Sequence, residues 1–273
     1  MRVLEDVHYV ECPLYEDFTG VGIILGDRGI VLVDAGTRGS LKDFVFPYLK
    51  GLGRRPEEIE LVIITHEHGD HFEGLQELRE FSSAKVAAHE VASRHIGESV
   101  EIILKDGERL VAGNLQLEVL HTPGHSEGSI CLYEPKLRLI FTGDSVQGNG
   151  TIIQGIAIYT DWDAYLRSME RLSQLPIEIL ISAHRYRPME KAILKGEEAR
   201  EFIVESIRQV GRYEEALKSL LAERKTPLSI EELNERMCSL FAPGSSRPQY
   251  GASTIRAYLA KKRGSMGNVV ENA

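Results

Sequence analysis

Cysteine is scarce in this chain of 273 residues: Cys12, Cys131 and Cys238 stand far apart and are odd in number. Three scattered thiols make no disulfide framework. A reducing, cytoplasmic setting is therefore expected, with each cysteine a small buried hydrophobe. Long apolar runs are also missing; none approaches the ~20 residues that cross a bilayer. The opening MRVLEDVHYV carries acids early and has no extended apolar stretch, so neither a membrane span nor a secretory signal is expected. Repeats and low-complexity tracts are lacking as well. Ser126 and Ser129 in TPGHSEGS are not read as a nucleophile elbow, so no serine nucleophile is expected.

What remains is an ordinary soluble composition, 42% apolar and 27% charged. Its length suits one large domain or a large and a small one. The net charge of −9 is unevenly spread. Residues 1–184 hold 16 basic and 29 acidic side chains, and residues 185–273 hold 16 and 12. That asymmetry suggests two units with different surfaces. The mild excess of base in the second is too small to argue for nucleic acid.

The first part reads as short strands joined by turns. VGIILG (21–26) and GIVLVDAG (29–36) form a hairpin pattern around Asp27-Arg28-Gly29. Residues 41–53 have helical spacing, with Ser40 as cap and Pro47 interrupting. IELVIIT (59–65) reads as a buried strand, 72–81 as an amphipathic helix, AKVAAH (84–89) as a strand and the residues after it as a short helix. Two further hairpins are expected over 108–122 and 128–144, then a helix over 161–176 capped by Asp161. IEILISAH (177–184) reads as the last strand, followed by helices over 196–224, 226–241 and 253–264. Thr226-Pro227 and Ser229 mark the start of the second, and the polar tail closes the chain.

Against this background THEHGDHFEG (65–74) stands out. Three histidines and two acids fall between His66 and His71. Imidazole is the usual ligand for zinc and neighbouring ions, and carboxylate suits a second or harder ion. Gly69 lets the chain bend between the ligands. One ion cannot easily use four such side chains, so two adjacent ions are expected. Further donors, His125, Asp144 and His184, each follow a β-run and precede a turn. His8, His89, His95 and His121 are assigned packing or surface roles.

The ordered strings THEHGDH, TPGHS, FTGDS and SAH, with Asp34 in LVDAG, resemble the metal motifs of the metallo-β-lactamase superfamily over about residues 3–190. The resemblance implies an α/β fold, an αββα sandwich of two mixed sheets with helices outside. It places His66, His68 and His125 on one ion, Asp70, His71 and His184 on the other, Asp144 between both, and Asp34 behind them as an orienting group. Two divalent ions, zinc first, with iron or manganese as alternatives, would supply a bridging hydroxide for hydrolysis. Asp70 and Asp144 are thus the catalytic acids of the reading.

The boundaries expected are 1–189 for the catalytic domain, 190–264 for a helical, winged-helix-like domain and 265–273 for a tail. A small-molecule ester, thioester or lactone is the expected substrate, as in the glyoxalase II and lactonase branches. Tyr159 and Tyr186 are candidate oxyanion donors. Arg185, with Arg187, is a candidate for an anionic substrate tail. The stretch 147–162 is a candidate pocket wall or lid. The alternatives are a metal-dependent endoribonuclease or phosphodiesterase, since one ribonuclease branch has a similar helical extension, and a non-catalytic metal-binding sensor. The acidic first part argues against nucleic acid. A homodimer is left open.

Overall fold

The computed structural model describes residues 1–97, 99–222 and 228–270, with backbone alone for 264–270. Two six-stranded sheets pack face to face. The first runs in chain order: β1 (Val7–Leu14), β2 (Asp17–Leu25), β3 (Ile30–Val33), β4 (Ile59–Ile64), β5 (Lys85–His89) and β6 (Ile102–Leu104). β1 to β3 are antiparallel, and β3 to β6 are parallel. The second holds β7 (Arg109–Ala112), β8 (Leu115–His121), β9 (Ile130–Glu134), β10 (Leu139–Gly143), β11 (Ile179–Tyr186) and β12 (Lys191–Lys195). Among the described residues, only the β10–β11 pair is parallel there.

Alternation builds the layers. On β3, Val31 and Val33 enter the core between the sheets, with Ile63, Val119, Leu132 and Phe141. Ile30 and Leu32 turn the other way, into the layer beneath Leu41, Val45 and Leu49. A strand covered on both faces reads as an unbroken apolar run, and IVLV does. On the far side of the second sheet, Ile140 and Leu180 meet α5 (Trp162–Ser173), α6 (Glu197–Ala222), α7 (Ile230–Phe241) and α8 (Ala252–Val270) in one apolar cluster. The expected four-layer α/β sandwich with C-terminal helices is present. Among the described residues, no helix is long and apolar enough to cross a membrane.

Several local expectations need correction. Residues 41–51 are a π-helical turn (Leu41–Val45) running into α1 (Phe46–Gly51), with Pro47 in the first turn of α1. Ser40 has helical φ/ψ and makes no capping bond; its hydroxyl meets that of Thr37. The helix expected over 72–81 is two short ones, α2 (Gly69–Phe72) and α3 (Leu75–Leu78). Between them Gly74 donates to the Gly36 carbonyl, and a Cβ there would lie 2.1 Å from the Ala35 oxygen. That close approach fixes the break. The short helix after β5 is α4 (Glu90–Ile96). β1 and β6 carry no strong signal of their own in the sequence. β12, which follows the strand read as last, pairs with β11.

The capping assignments at Asp161 and Ser229 hold. Asp161 accepts from Ala164 N–H at 2.8 Å, and Ser229 forms a capping box with Glu232. Thr226-Pro227 and residues 271–273 lie outside the described residues, while the helical backbone of α8 runs to Val270.

Candidate metal centre

Four strands end at one rim. β3 and β4 run parallel in the first sheet, and β10 and β11 run parallel in the second. Their C-terminal ends deliver Asp34, His66, Asp144 and His184. The sheets approach closely there: Gly143, at φ +48°, leaves room for Thr65, whose Oγ1 would lie 2.4 Å from any Cβ. The loop after β8 brings His125, and α2 carries Asp70 and His71.

Three ring nitrogens converge first. His66 Nε2 lies 3.1 Å from His68 Nδ1 and 3.3 Å from His125 Nε2, and the last two are 2.9 Å apart. Donors about 2.0–2.1 Å from one tetrahedral ion stand about 3.3 Å from each other. A second group follows. His184 Nε2 is 3.3 Å from Asp70 Oδ2, and His71 Nε2 is 3.7 Å from the same oxygen. Asp144 spans the two: Oδ1 is 3.6 Å from His71 and 3.5 Å from His184, while Oδ2 is 3.6 Å from His125. His71 Nε2 and Asp144 Oδ1 are buried with no hydrogen-bond partner among the described residues. Buried polar atoms without partners are costly, and lone pairs aimed at common points are what divalent cations satisfy. The donor set fits such ions.

The outer atoms of the rings are held from behind. Asp34 accepts from Thr65 N–H at 2.7 Å, from Thr65 Oγ1 at 2.8 Å and from His71 Nδ1–H at 2.8 Å. His184 Nδ1 donates to the Phe18 carbonyl at 2.6 Å. His125 Nδ1 donates to the Ile158 carbonyl at 3.1 Å. Such contacts fix ring orientation and tautomer. Glu67 joins two ligand loops, accepting from Ser126 Oγ at 2.9 Å and Gly128 N–H at 3.3 Å.

Electrostatics divide the groups. Burial, reinforced by neighbouring histidines, holds His66 well below its ordinary pKa and takes His125 to about 3. These rings are neutral and free to donate lone pairs. Burial acts the same way on His184, but Asp144 and Asp70 outweigh it and raise this ring to about 9. His71 is likewise raised against burial, by Asp70, Asp34 and Asp144. Binding at this second group therefore displaces protons.

The centre forms the floor of a cavity of about 600 Å³, within the range of small-molecule sites. His68, Asp70, His125, Asp144 and His184 face it. The stretch after Asp144 supplies a wall through Thr151, Ile153, Gln154 and Ile158. Tyr15, Tyr250 and Arg256, none of them singled out by the sequence, also line it. They come from the β1–β2 turn and from the C-terminal segment, and no local pattern marks them.

The remaining candidates are not among the residues that line the cavity. Arg185 donates to Asp17 at 2.7 Å and lies over Phe18 rather than in the cavity. Arg187 spends its guanidinium on the carbonyls of Asn149, Thr151 and Gly155, bracing the wall from behind. Tyr159 is fully buried against Trp162 and Tyr165. Tyr186 is equally buried, its ring perpendicular to His184 at 5.9 Å, with burial and then Asp144 pushing its hydroxyl far above the ordinary phenol range. His89 and His121 stack at 4.0 Å, away from the centre. The string from Gly124 to Gly128 does have Gly-x-Ser-x-Gly spacing. Structure, not sequence, removes Ser126 from contention: its buried hydroxyl is tied to Glu67 and Ser129.

Comparison with known proteins identifies the family. Residues 15–184 match the family model of the metallo-beta-lactamase superfamily. Hydroxyacylglutathione hydrolase of Cereibacter sphaeroides is 35% identical over 143 residues, 51% of this chain and 54% of that protein. The Bartonella quintana protein of the same name is 35% identical over 138 residues, 50% and 52%. The chain thus spans about half the length of these relatives. Among solved structures, a metallo-beta-lactamase family protein from Thermus thermophilus superposes with a TM-score of 0.75 at 22% identity, covering 97% of this chain and 95% of that one. A Cronobacter sakazakii metallo-beta-lactamase gives 0.64 at 21%, covering 82% and 98%. Both share the fold.

Proposed function

The chain belongs to the metallo-beta-lactamase superfamily, and from that premise we propose that it is a two-metal hydrolase of small esters, thioesters or lactones. The observation that carries the reading is the pair of donor groups, three nitrogens within 3.3 Å of each other beside a second group, with Asp144 turned to both. His66, His68 and His125 would hold one ion, Asp70, His71 and His184 the other, and Asp144 both. When bound, divalent ions supply Lewis acidity and a water of lowered pKa; zinc suits the histidine-rich set, with iron or manganese as alternatives.

The protein's own groups do the rest. Asp34 and Thr65 hold His71 in one orientation, so the centre is organised before substrate arrives. Asp70 is the more open carboxylate, with its side chain 27% exposed against 6% for Asp144. It faces the cavity, where it can orient the attacking water. The wall over 151–158 excludes bulk water from one side. The relatives named hydroxyacylglutathione hydrolase favour a thioester among the carbonyl substrates.

The test is a hydrolysis panel on zinc- and manganese-loaded full-length protein. It sets a thioester, a lactone and a simple ester against a phosphodiester and a short single-stranded RNA. Turnover of carbonyl substrates, abolished by His66→Ala, is the expected result. Cleavage of RNA or phosphodiester alone would overturn it in favour of a nuclease.

A further inference from the structure

The wall of the cavity contains a chain of two glutamines. Gln147 is fully buried, and Gln154 lines the cavity. Backbone groups fix which way each amide faces. Ile158 N–H can only donate, and it meets Gln147 Oε1 at 2.8 Å. The Asp144 carbonyl can only accept, and it meets Gln147 Nε2 at 3.0 Å. Both contacts demand the same orientation. Gln147 Oε1 then requires a donor from Gln154, whose Nε2 lies 2.9 Å away. With its nitrogen so committed, Gln154 must turn its amide oxygen elsewhere. That oxygen has no hydrogen-bond partner among the described residues and is not sealed in protein.

The amide is also held in place. Gln154 N–H donates to Thr151 Oγ1 at 3.1 Å, and Arg187 grips the carbonyls of Thr151 and Gly155 on either side. Gln147 in turn touches His125. The acceptor is therefore one side chain removed from the metal centre, and its orientation is set before anything binds.

We propose that Gln154 is a specificity-determining residue, whose amide oxygen accepts a hydrogen bond from a hydroxyl or N–H next to the scissile carbonyl. The inference rests on the hydrolase reading for its substrate class. An analogue with the donor capped leaves this acceptor unpaired and meets a bulkier group, so discrimination is built into the wall.

The experiment compares thioesters of α-hydroxyhexanoate and α-methoxyhexanoate on the metal-loaded full-length protein, in wild type, Gln154→Leu and Gln154→Met. Binding of the two free acids is measured by calorimetry alongside. Wild type should favour the hydroxy compound in kcat/KM by about tenfold, and both variants should lose most of that ratio. An unchanged ratio in either folded variant, or no preference in wild type, would overturn the proposal. If neither thioester turns over, the hydrolase reading fails by itself. Tighter Gln154-dependent binding of the hydroxy acid would still support the acceptor, and its absence would sink it.

Discussion

His184 concentrates the physics of the second ligand group. Its ring is buried, which alone would keep it neutral, yet two carboxylates raise it to about 9. A raised histidine stabilises the fold below its unfolded pKa, and that contribution is lost as pH rises through about 9. A metal ion can take Nε2 only after the proton leaves. Metal loading at pH 7.5 should therefore release about one proton per chain through this ring and a further one through His71, with affinity increasing up to about pH 9. Calorimetry in buffers of different ionisation enthalpy reads the proton directly. His71 is raised by its own carboxylates and shares this behaviour. The first group differs, because burial has already taken His125 down to about 3. Its ligands need lose no proton near neutrality.

At the scale of elements, the stretch between Asp144 and α5 has little regular structure and is nevertheless fixed. Arg187 at the end of β11 is the pin, with its guanidinium on three carbonyls of that stretch. Arg187→Met keeps the length of the side chain and removes those donors. Stability should fall by about 2 kcal/mol, read from the denaturant midpoint. On the proposed hydrolase reading, in which the wall contacts substrate, KM should rise more than kcat falls, because the candidate metal ligands stay on their strands. The break between α2 and α3 follows similar logic. Helical periodicity runs across it, but Gly74 lies against the Ala35 carbonyl next to Asp34. A continuous helix would push this ligand-orienting loop away.

The whole molecule binds its C-terminal helices into the structure of the sandwich. Tyr213, Leu217, Met237, Ile255 and Tyr258 share one apolar cluster with Ile140, Leu180 and Tyr165. The same segment sends Tyr250 and Arg256 into the cavity. A protein ending at residue 195 would keep every candidate metal ligand and both sheets. It should nevertheless expose that cluster and lose cooperative unfolding, because burial of large apolar side chains supplies most of the stability. A thermal melt followed by circular dichroism checks this; a sharp transition near that of the full chain would show an autonomous sandwich. Among the described residues no strand follows β12, so the C-terminal segment there is helices and turns.

The metal-binding chemistry and most strands were legible in the sequence because both depend on local pattern. Three histidines and an aspartate within six positions have few other uses, and apolar runs such as IVLV and IELVII mark strands covered on both faces. Asp144 and His184 were legible as donors following such runs. The tertiary structure decided what depends on contacts between distant segments. Arg185 and Arg187 look alike in SAHRYRP, but one faces Asp17 and the other three carbonyls of the wall. Ser126 has nucleophile spacing, and Glu67 and Ser129 occupy its hydroxyl. Gln147 and Gln154 look like any polar loop residues until obligate backbone donors and acceptors fix their amides. Periodicity reports which face is buried; only packing determines which partner each polar atom meets.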